Sequence, residues 1–229
     1  MILVIHVIPE ADHLAAIAER IALLEWRDGR ETAGASARKV KRNEQAAMNS
    51  AAGRALQDEI SGILADSPVV RAAARPRRVS SLVISRTGVG GHYGAHVDNA
   101  LMGSARNGGA KRLRTDLSFT LFLTPPDEYE GGELVVHTAG ITQELKGEAG
   151  HLVLYPSGSI HEVKPVTRGT RIVCIGWIES LVADQGQREM LFDLENLRAA
   201  LRLALPSQSA ELLTLDKTIA NLLRMWAHP

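Results

Sequence analysis

Aromatic residues are scarce in this 229-residue chain: three Trp, three Tyr and three Phe, 4% of the total. The 45% apolar content must therefore fill a core mostly with Leu, Ile, Val and Ala. Cysteine is almost absent. Cys174 is the sole thiol, which excludes an internal disulfide and fits a reducing, cytoplasmic setting. Net charge is missing too, because 26 basic and 26 acidic residues cancel. A chain with no global field is a poor match for nucleic acid or an anionic membrane as its main partner. No run approaches the roughly 20 apolar residues of a membrane span. The apolar start, Ile2 to Ile8, is interrupted by His6 and meets Pro9, unlike a signal peptide with a basic n-region and a longer apolar stretch. Repeats and low-complexity tracts are also lacking.

What is present falls into three parts. Residues 1–78 read as an N-terminal strand (2–8) and two helices (10–24 and 44–65), with the small, basic stretch Thr32 to Lys41 as a strand or loop. Residues 79–180 change periodicity. Short β-branched or alternating runs at Val79–Ser85, Leu117–Thr124, Glu133–His137, His151–Tyr155, Ile160–Val166 and Arg171–Ile178 are separated by Gly and Pro turns. That spacing predicts an antiparallel sandwich or barrel. Residues 181–229 return to helical spacing through Leu191, Leu194, Leu197 and Leu201, break at Pro206, and resume over Leu212–Trp226. The expected fold is mainly β with flanking helices.

The chemistry concentrates in Tyr93-Gly-Ala-His96-Val-Asp98-Asn99. On a strand, residues i and i+2 share a face, about 6–7 Å apart at Cα, so His96 and Asp98 can converge on one ion. His161, near the end of the β run, is the best third ligand. Two imidazoles and one carboxylate leave coordination positions open, the ligand set of non-haem Fe(II) oxygenases. Tetrahedral zinc more often takes thiolates or a third His. Arg171 lies ten residues after His161, across the Arg168-Gly169 turn. On neighbouring antiparallel strands the two would sit roughly 10–15 Å apart, a distance that a five-carbon diacid bound to the metal and to a guanidinium can span. A strict two-residue hairpin at Arg168-Gly169 would set them on opposite faces, so the expectation requires an odd loop or a bulge.

With these residues in view, the chain resembles the PKHD-type hydroxylases, relatives of the prolyl and lysyl hydroxylases among the Fe(II)/2-oxoglutarate oxygenases. The matching stretches are Trp26-Arg-Asp-Gly-Arg-Glu-Thr-Ala-Gly34, Val40-Lys-Arg-Asn43, Tyr93 to Ala100, Arg114 to Leu123, Tyr129-Glu-Gly-Gly-Glu-Leu134, Leu152-Val-Leu-Tyr-Pro156, His161, Pro165-Val-Thr-Arg-Gly169 and Trp177-Ile178. The resemblance implies a double-stranded β-helix (jelly-roll) core, Fe(II) on His96, Asp98 and His161, and 2-oxoglutarate anchored by Arg171. It also implies O₂ as oxidant, L-ascorbate as reductant, succinate and CO₂ as products, and an association with iron uptake. The substrate, a small molecule or a peptidyl group, is not named by the sequence. One departure is Thr87, where relatives carry an aromatic after Arg86; this bears on the expected substrate side.

Other features carry weaker readings. Tyr93 is either a co-substrate partner or an ordinary half-buried aromatic. Ser118 and Thr120 lie on a core strand, where packing is the first expectation and one of them lining the pocket the second. Among the remaining histidines His92 is the nearest to the site in sequence. Arg168 is the lesser rival to Arg171. Gly88–Gly91 reads as a mobile lip. The basic runs Arg38–Arg42 and Arg71–Arg78 read first as solvated rims, the alternative being an anionic-substrate or partner surface beside the pocket. The C-terminal Leu-rich helices cover the barrel or make a contact in a homo-oligomer. Two other functions share the metal triad: a non-oxidative jelly-roll metal protein using Zn²⁺ or Mn²⁺, and a sensor of iron and 2-oxoglutarate. Arg171 argues against the former.

Overall fold

The computed structural model of the protein describes residues 1–32, 37–103 and 112–229. The chain opens with β1 (Leu3–His6), α1 (Ala11–Ala22), β2 (Trp26–Asp28), β3 (Lys41–Arg42) and β4 (Glu44–Ala46). Then come α2 (Ala51–Asp66), α3 (Pro68–Ala74) and β5 (Pro76–Val79). The central run is β6 (Val83–Thr87), β7 (His92–His96), β8 (Leu101–Met102), β9 (Leu113–Arg114), β10 (Leu117–Phe122) and β11 (Tyr129–Gly131). It continues with β12 (Leu134–Thr138), β13 (Ile141–Leu145), β14 (His151–Pro156), β15 (Ile160–Val163), β16 (Val166–Gly169) and β17 (Arg171–Ser180). Two helices, α4 (Gln185–Ala204) and α5 (Ala210–Trp226), close the chain.

The strands form two principal antiparallel sheets. The major sheet runs β1-β14-β10-β17-β6-β4-β2, with β5 also on β17; the minor sheet runs β13-β12-β15-β7-β3. Strand β10 shows how the layers are built. All six of its residues are buried, because both faces are covered. Leu117, Phe119 and Leu121 pack with Ile17 of α1 and Leu56 and Ile60 of α2. Phe122 packs with Leu134 and Val136 of β12 in the minor sheet. Ser118 and Thr120 line the cavity left between the sheets. This is the jelly-roll arrangement expected, with helices against the outer face of the major sheet.

Several local readings are corrected. The helix expected over 44–65 begins later. Glu44–Ala46 is a strand on β6, and the helix starts where Ser50 accepts a hydrogen bond from Gly53 N (3.0 Å), a side-chain N-cap. Four residues of the Thr32–Lys41 stretch, 33–36, lie outside the described residues; Ala37–Val40 is a 3-10 turn that feeds β3. The run Ile160–Val166 is not one strand. Pro165 has no N–H to continue the ladder, and from Val166 the chain pairs with β11 instead. The Gly88–Gly91 turn is fastened to Val166 in both directions (Gly90 N to Val166 O, 2.8 Å; Val166 N to Gly91 O, 3.0 Å) rather than free at the site. The second basic run is only in part a solvated rim: Arg71 and Arg77 are exposed, but three of its arginines hold ion pairs with later elements. Arg75 pairs with Glu195 of α4 (3.1 Å), while Arg77 and Arg78 pair with Glu179 of β17.

The C-terminal helices carry a small core of their own, Val182, Leu191 and Ile219. No helix among the described residues is long and apolar enough to cross a membrane.

Candidate metal and co-substrate site

His96 ends β7 and Asp98 lies two residues beyond it, so the local i, i+2 reading holds. What the local sequence could not show is that His161 on β15 is the direct register partner of His96. The ladder shifts by one residue beside this pair, so Tyr93, three residues from His96, also turns inward. The result is a compact cluster. Ligand atoms of His96, Asp98 and His161 all lie within 4.8 Å of one another. Asp98 Oδ1 is 3.9 Å from His96 Nε2, and Oδ2 is 3.6 Å from His161 Nε2.

The histidine tautomers follow from their neighbours. His96 Nδ1 lies 2.8 Å from Gly94 O, and His161 Nδ1 lies 3.0 Å from Ser159 O. A carbonyl only accepts, so each Nδ1 carries the proton and each Nε2 presents a lone pair to the cluster. Burial, then the His161 ring beside it, pushes the His96 imidazole well below its ordinary pKa and keeps it neutral, the form a metal takes. Asp98 is oriented from the major sheet. Ser118 Oγ (2.6 Å) and Trp177 Nε1 (2.8 Å) both donate to its Oδ2. Ser118 and Trp177 are themselves register partners on β10 and β17. The cluster is thus held between the two sheets. Its chemistry fits Fe(II), which needs deprotonated N and O donors on one side and open positions on the other.

Arg171 lies at the other end of the same cavity, whose volume is about 470 Å³. The expected hairpin between His161 and Arg171 does not exist. His161 belongs to the minor sheet, whereas Arg171 begins β17 in the major sheet. The segment between them, β16, crosses over to pair with β11. Both residues nevertheless line the cavity, so no bulge in a shared hairpin is needed.

The Arg171 guanidinium is 2% exposed, and its Nε and Nη2 have no hydrogen-bond partner. Its side chain runs past Gly132, where a Cβ would come within 2.9 Å of Arg171 Cδ, and its guanidinium carbon lies 5.3 Å from the Phe122 ring centroid. Burial lowers the pKa of Arg171, while the Tyr129 and Tyr155 hydroxyls work against that shift. A buried cation with unpartnered donors is costly unless an anion completes it. Arg168, the rival, is spent on Glu130 at the surface.

Tyr93 stacks on His96, with ring centroids 3.6 Å apart and planes 16° from parallel. Burial, then Asp98, pushes its hydroxyl up to about 12, so it stays a protonated phenol at neutral pH. Ser118 and Thr120, for which packing is the first expectation, both line the cavity. His92 does not; it faces a neighbouring groove. Thr87 is the register partner of Arg171, so the position without the aromatic lies at the Arg171 end of the cavity. Sequence reasoning did not single out Trp177, Tyr155 or Lys41. Tyr155 is buried edge-on to His161, with centroids 5.1 Å apart. Lys41, placed in a solvated run, is buried in the cavity wall.

A β-sandwich with this triad at one end of a cavity and a sealed arginine at the other defines an Fe(II)/2-oxoglutarate oxygenase, and residues 82–179 match the 2OG-Fe(II) oxygenase superfamily. Residues 185–228 match the PKHD-type hydroxylase C-terminal domain. The chain is 49% identical to a PKHD-type hydroxylase of Hyphomonas neptunium over 94% of its own length and 95% of the relative's. It is 44% identical to one of Synechococcus elongatus over 99% and 100%. The chain belongs to the PKHD-type hydroxylase family of 2OG-Fe(II) oxygenases. In fold it is similar to a 2OG-Fe(II) oxygenase family oxidoreductase of Burkholderia pseudomallei, with a TM-score of 0.55 and 18% identity over 78% of this chain and 84% of the other.

Proposed function

We propose that the chain hydroxylates a C–H bond of its substrate, with Fe(II) held by His96, Asp98 and His161 and 2-oxoglutarate anchored at its far carboxylate by Arg171. The observation that carries this reading is the buried Arg171 guanidinium, whose Nε and Nη2 have no partner, sealed in the same cavity as the triad. Fe(II), 2-oxoglutarate and O₂ would supply the oxidising power, with succinate and CO₂ as co-products and ascorbate as the reductant that maintains Fe(II).

The chain's own part is positional. Gly94 and Ser159 carbonyls fix the two imidazole tautomers, and Ser118 with Trp177 fixes the carboxylate. Arg171 sets the co-substrate's orientation through two parallel N–H donors. Tyr93 supports the His96 ring and offers a phenolic donor into the cavity, where it would meet the co-substrate. Buried Tyr155, Val173 and Leu134 exclude water from this end. The single thiol supports a reducing, cytoplasmic setting.

The test is anaerobic addition of Fe(II) and 2-oxoglutarate. A visible charge-transfer band is expected, and His161→Ala should remove it. Folded wild-type protein that takes up iron and shows no band on addition of 2-oxoglutarate would be a metal protein of another kind. A band without succinate formation under any substrate would point to a sensor.

A further inference from the structure

We propose that Lys41 docks an anionic oxygen group, a carboxylate or a phosphate, of the molecule to be hydroxylated, and that Arg38, Lys39 and Arg42 form the basic approach to it. This rests on the metal and co-substrate reading given above.

Lys41 is 7% exposed and lines the cavity. Its position marks the metal side of that cavity. Its Nζ is 5.1 Å from the centroid of the Tyr93 ring, which in turn stacks on His96. Arg171 already serves the other end, so a second buried cation is not needed for the co-substrate. Lys41 also has no counter-ion of its own. Asp98 and Asp28 attract it only from a distance. Asp98 is committed to the two histidines, Ser118 and Trp177, and Asp28 is bound by Arg30. Among the described residues no carboxylate forms an ion pair with it. Lys41 thus brings a largely desolvated ammonium with no counter-ion to the cavity wall, and an anionic ligand group is the species that would complete it.

A second observation lies outside the cavity. A surface groove shares Val40, Lys41 and Asn43 with the cavity wall, so the two meet at Lys41. Arg27, Arg38, Lys39 and Arg42 line this groove. Its two acids are already neutralised, Asp28 by Arg30 and Glu44 by Arg86. A chain of zero net charge therefore carries a local positive strip that ends at a buried lysine beside the metal cluster. Such a strip concentrates anions at the mouth.

The experiment uses the full chain loaded with Fe(II) and 2-oxoglutarate under argon. Binding is measured by calorimetry for two matched pairs of probes, acetylaspartate amide against acetylasparagine amide and acetylphosphoserine amide against acetylserine amide. The anionic member of at least one pair is expected to bind about tenfold tighter than its neutral twin. The pair that shows the preference tells carboxylate from phosphate. The preference should shrink as salt is raised, vanish in Lys41→Met and return in Lys41→Arg. Equal binding of acids and neutral twins, no binding by any probe, a preference indifferent to salt, or one that survives Lys41→Met would overturn the proposal. The salt series needs no variant, so it stands if Lys41→Met fails to fold. Failure of the underlying reading shows separately, as absence of the Fe(II)/2-oxoglutarate band before any probe is added.

Discussion

Arg171 and Lys41 are both cations buried in one cavity without a carboxylate beside them, yet they are built differently. Arg171 starts a ten-residue strand inside the major sheet, with β10 and β6 on either side of that strand, and it is hemmed in by Phe122, Tyr129 and Tyr155. Lys41 sits on a two-residue strand at the edge of the minor sheet, where the cavity opens into the basic groove. A cation in a closed frame can recognise one small diacid with fixed geometry. A cation on a sheet edge, reached from a groove, suits a larger molecule of which only one group must be fixed. The scarce aromatics follow the same division. All three tyrosines and Trp177 lie at the cavity or against Arg171, whereas the cores elsewhere are mostly aliphatic. Flat, stiff side chains stand where positions must be held.

Arg171→Met should have the most severe consequence for the site. The expected result is a loss of 2-oxoglutarate affinity of about 100-fold or more, from removing one partner of a desolvated charge pair. The unliganded variant should unfold no lower than wild type, because an unpaired buried charge has gone. Thermal melts with and without metal and 2-oxoglutarate separate the two effects. Unchanged affinity for 2-oxoglutarate would remove the distinction between the two cations.

Trp177→Phe tests the metal end. It deletes the donor to Asp98 Oδ2 while keeping an aromatic ring. Metal affinity should fall about 10- to 100-fold, as for other groups that orient a ligand from outside. Mn²⁺ titration followed by electron paramagnetic resonance reads this directly. An unchanged Mn²⁺ affinity would mean that Ser118 alone orients the carboxylate.

How much of this was legible in the sequence depends on the distance between the parts. His96 and Asp98 are two residues apart, so the local i, i+2 pattern marks them as a pair, although β7 ends at His96 and Asp98 is oriented from β10 and β17. The β core was visible in its alternation and turn residues, and His161 and Arg171 in their place near its end. The route between those two was not. Pro165 diverts the chain to β11, and only the tertiary pairing shows that His161 and Arg171 face each other across the cavity from different sheets. Lys41 was hidden for a related reason. It lies in Arg38–Arg42, where four cations in five residues resemble a solvated face, and the pairing of β3 with β7 is what turns that one lysine inward. Asp98's donors come from strands about 20 and 80 residues away, and no local pattern announces them.

Lys41 should also leave a modest, pH-dependent mark on stability. Burial lowers the Lys41 ammonium from 10.5 to about 8, against the pull of Asp98 and Asp28. Because the folded pKa lies below the unfolded one, the unfolded chain binds more protons between those values. The cost of burying the charge is therefore fully present below pH 8 and is relieved as pH rises from 8 towards 10.5. Lys41→Met should raise the unfolding free energy by about 1–2 kcal/mol at pH 7. By pH 10 most of that gain should be gone. Urea melts at the two pH values measure the difference. An equal gain at both would mean that packing, not charge, sets the cost at this edge. Replacing Arg171 by Met should show no such dependence on pH, because a guanidinium does not titrate in this range.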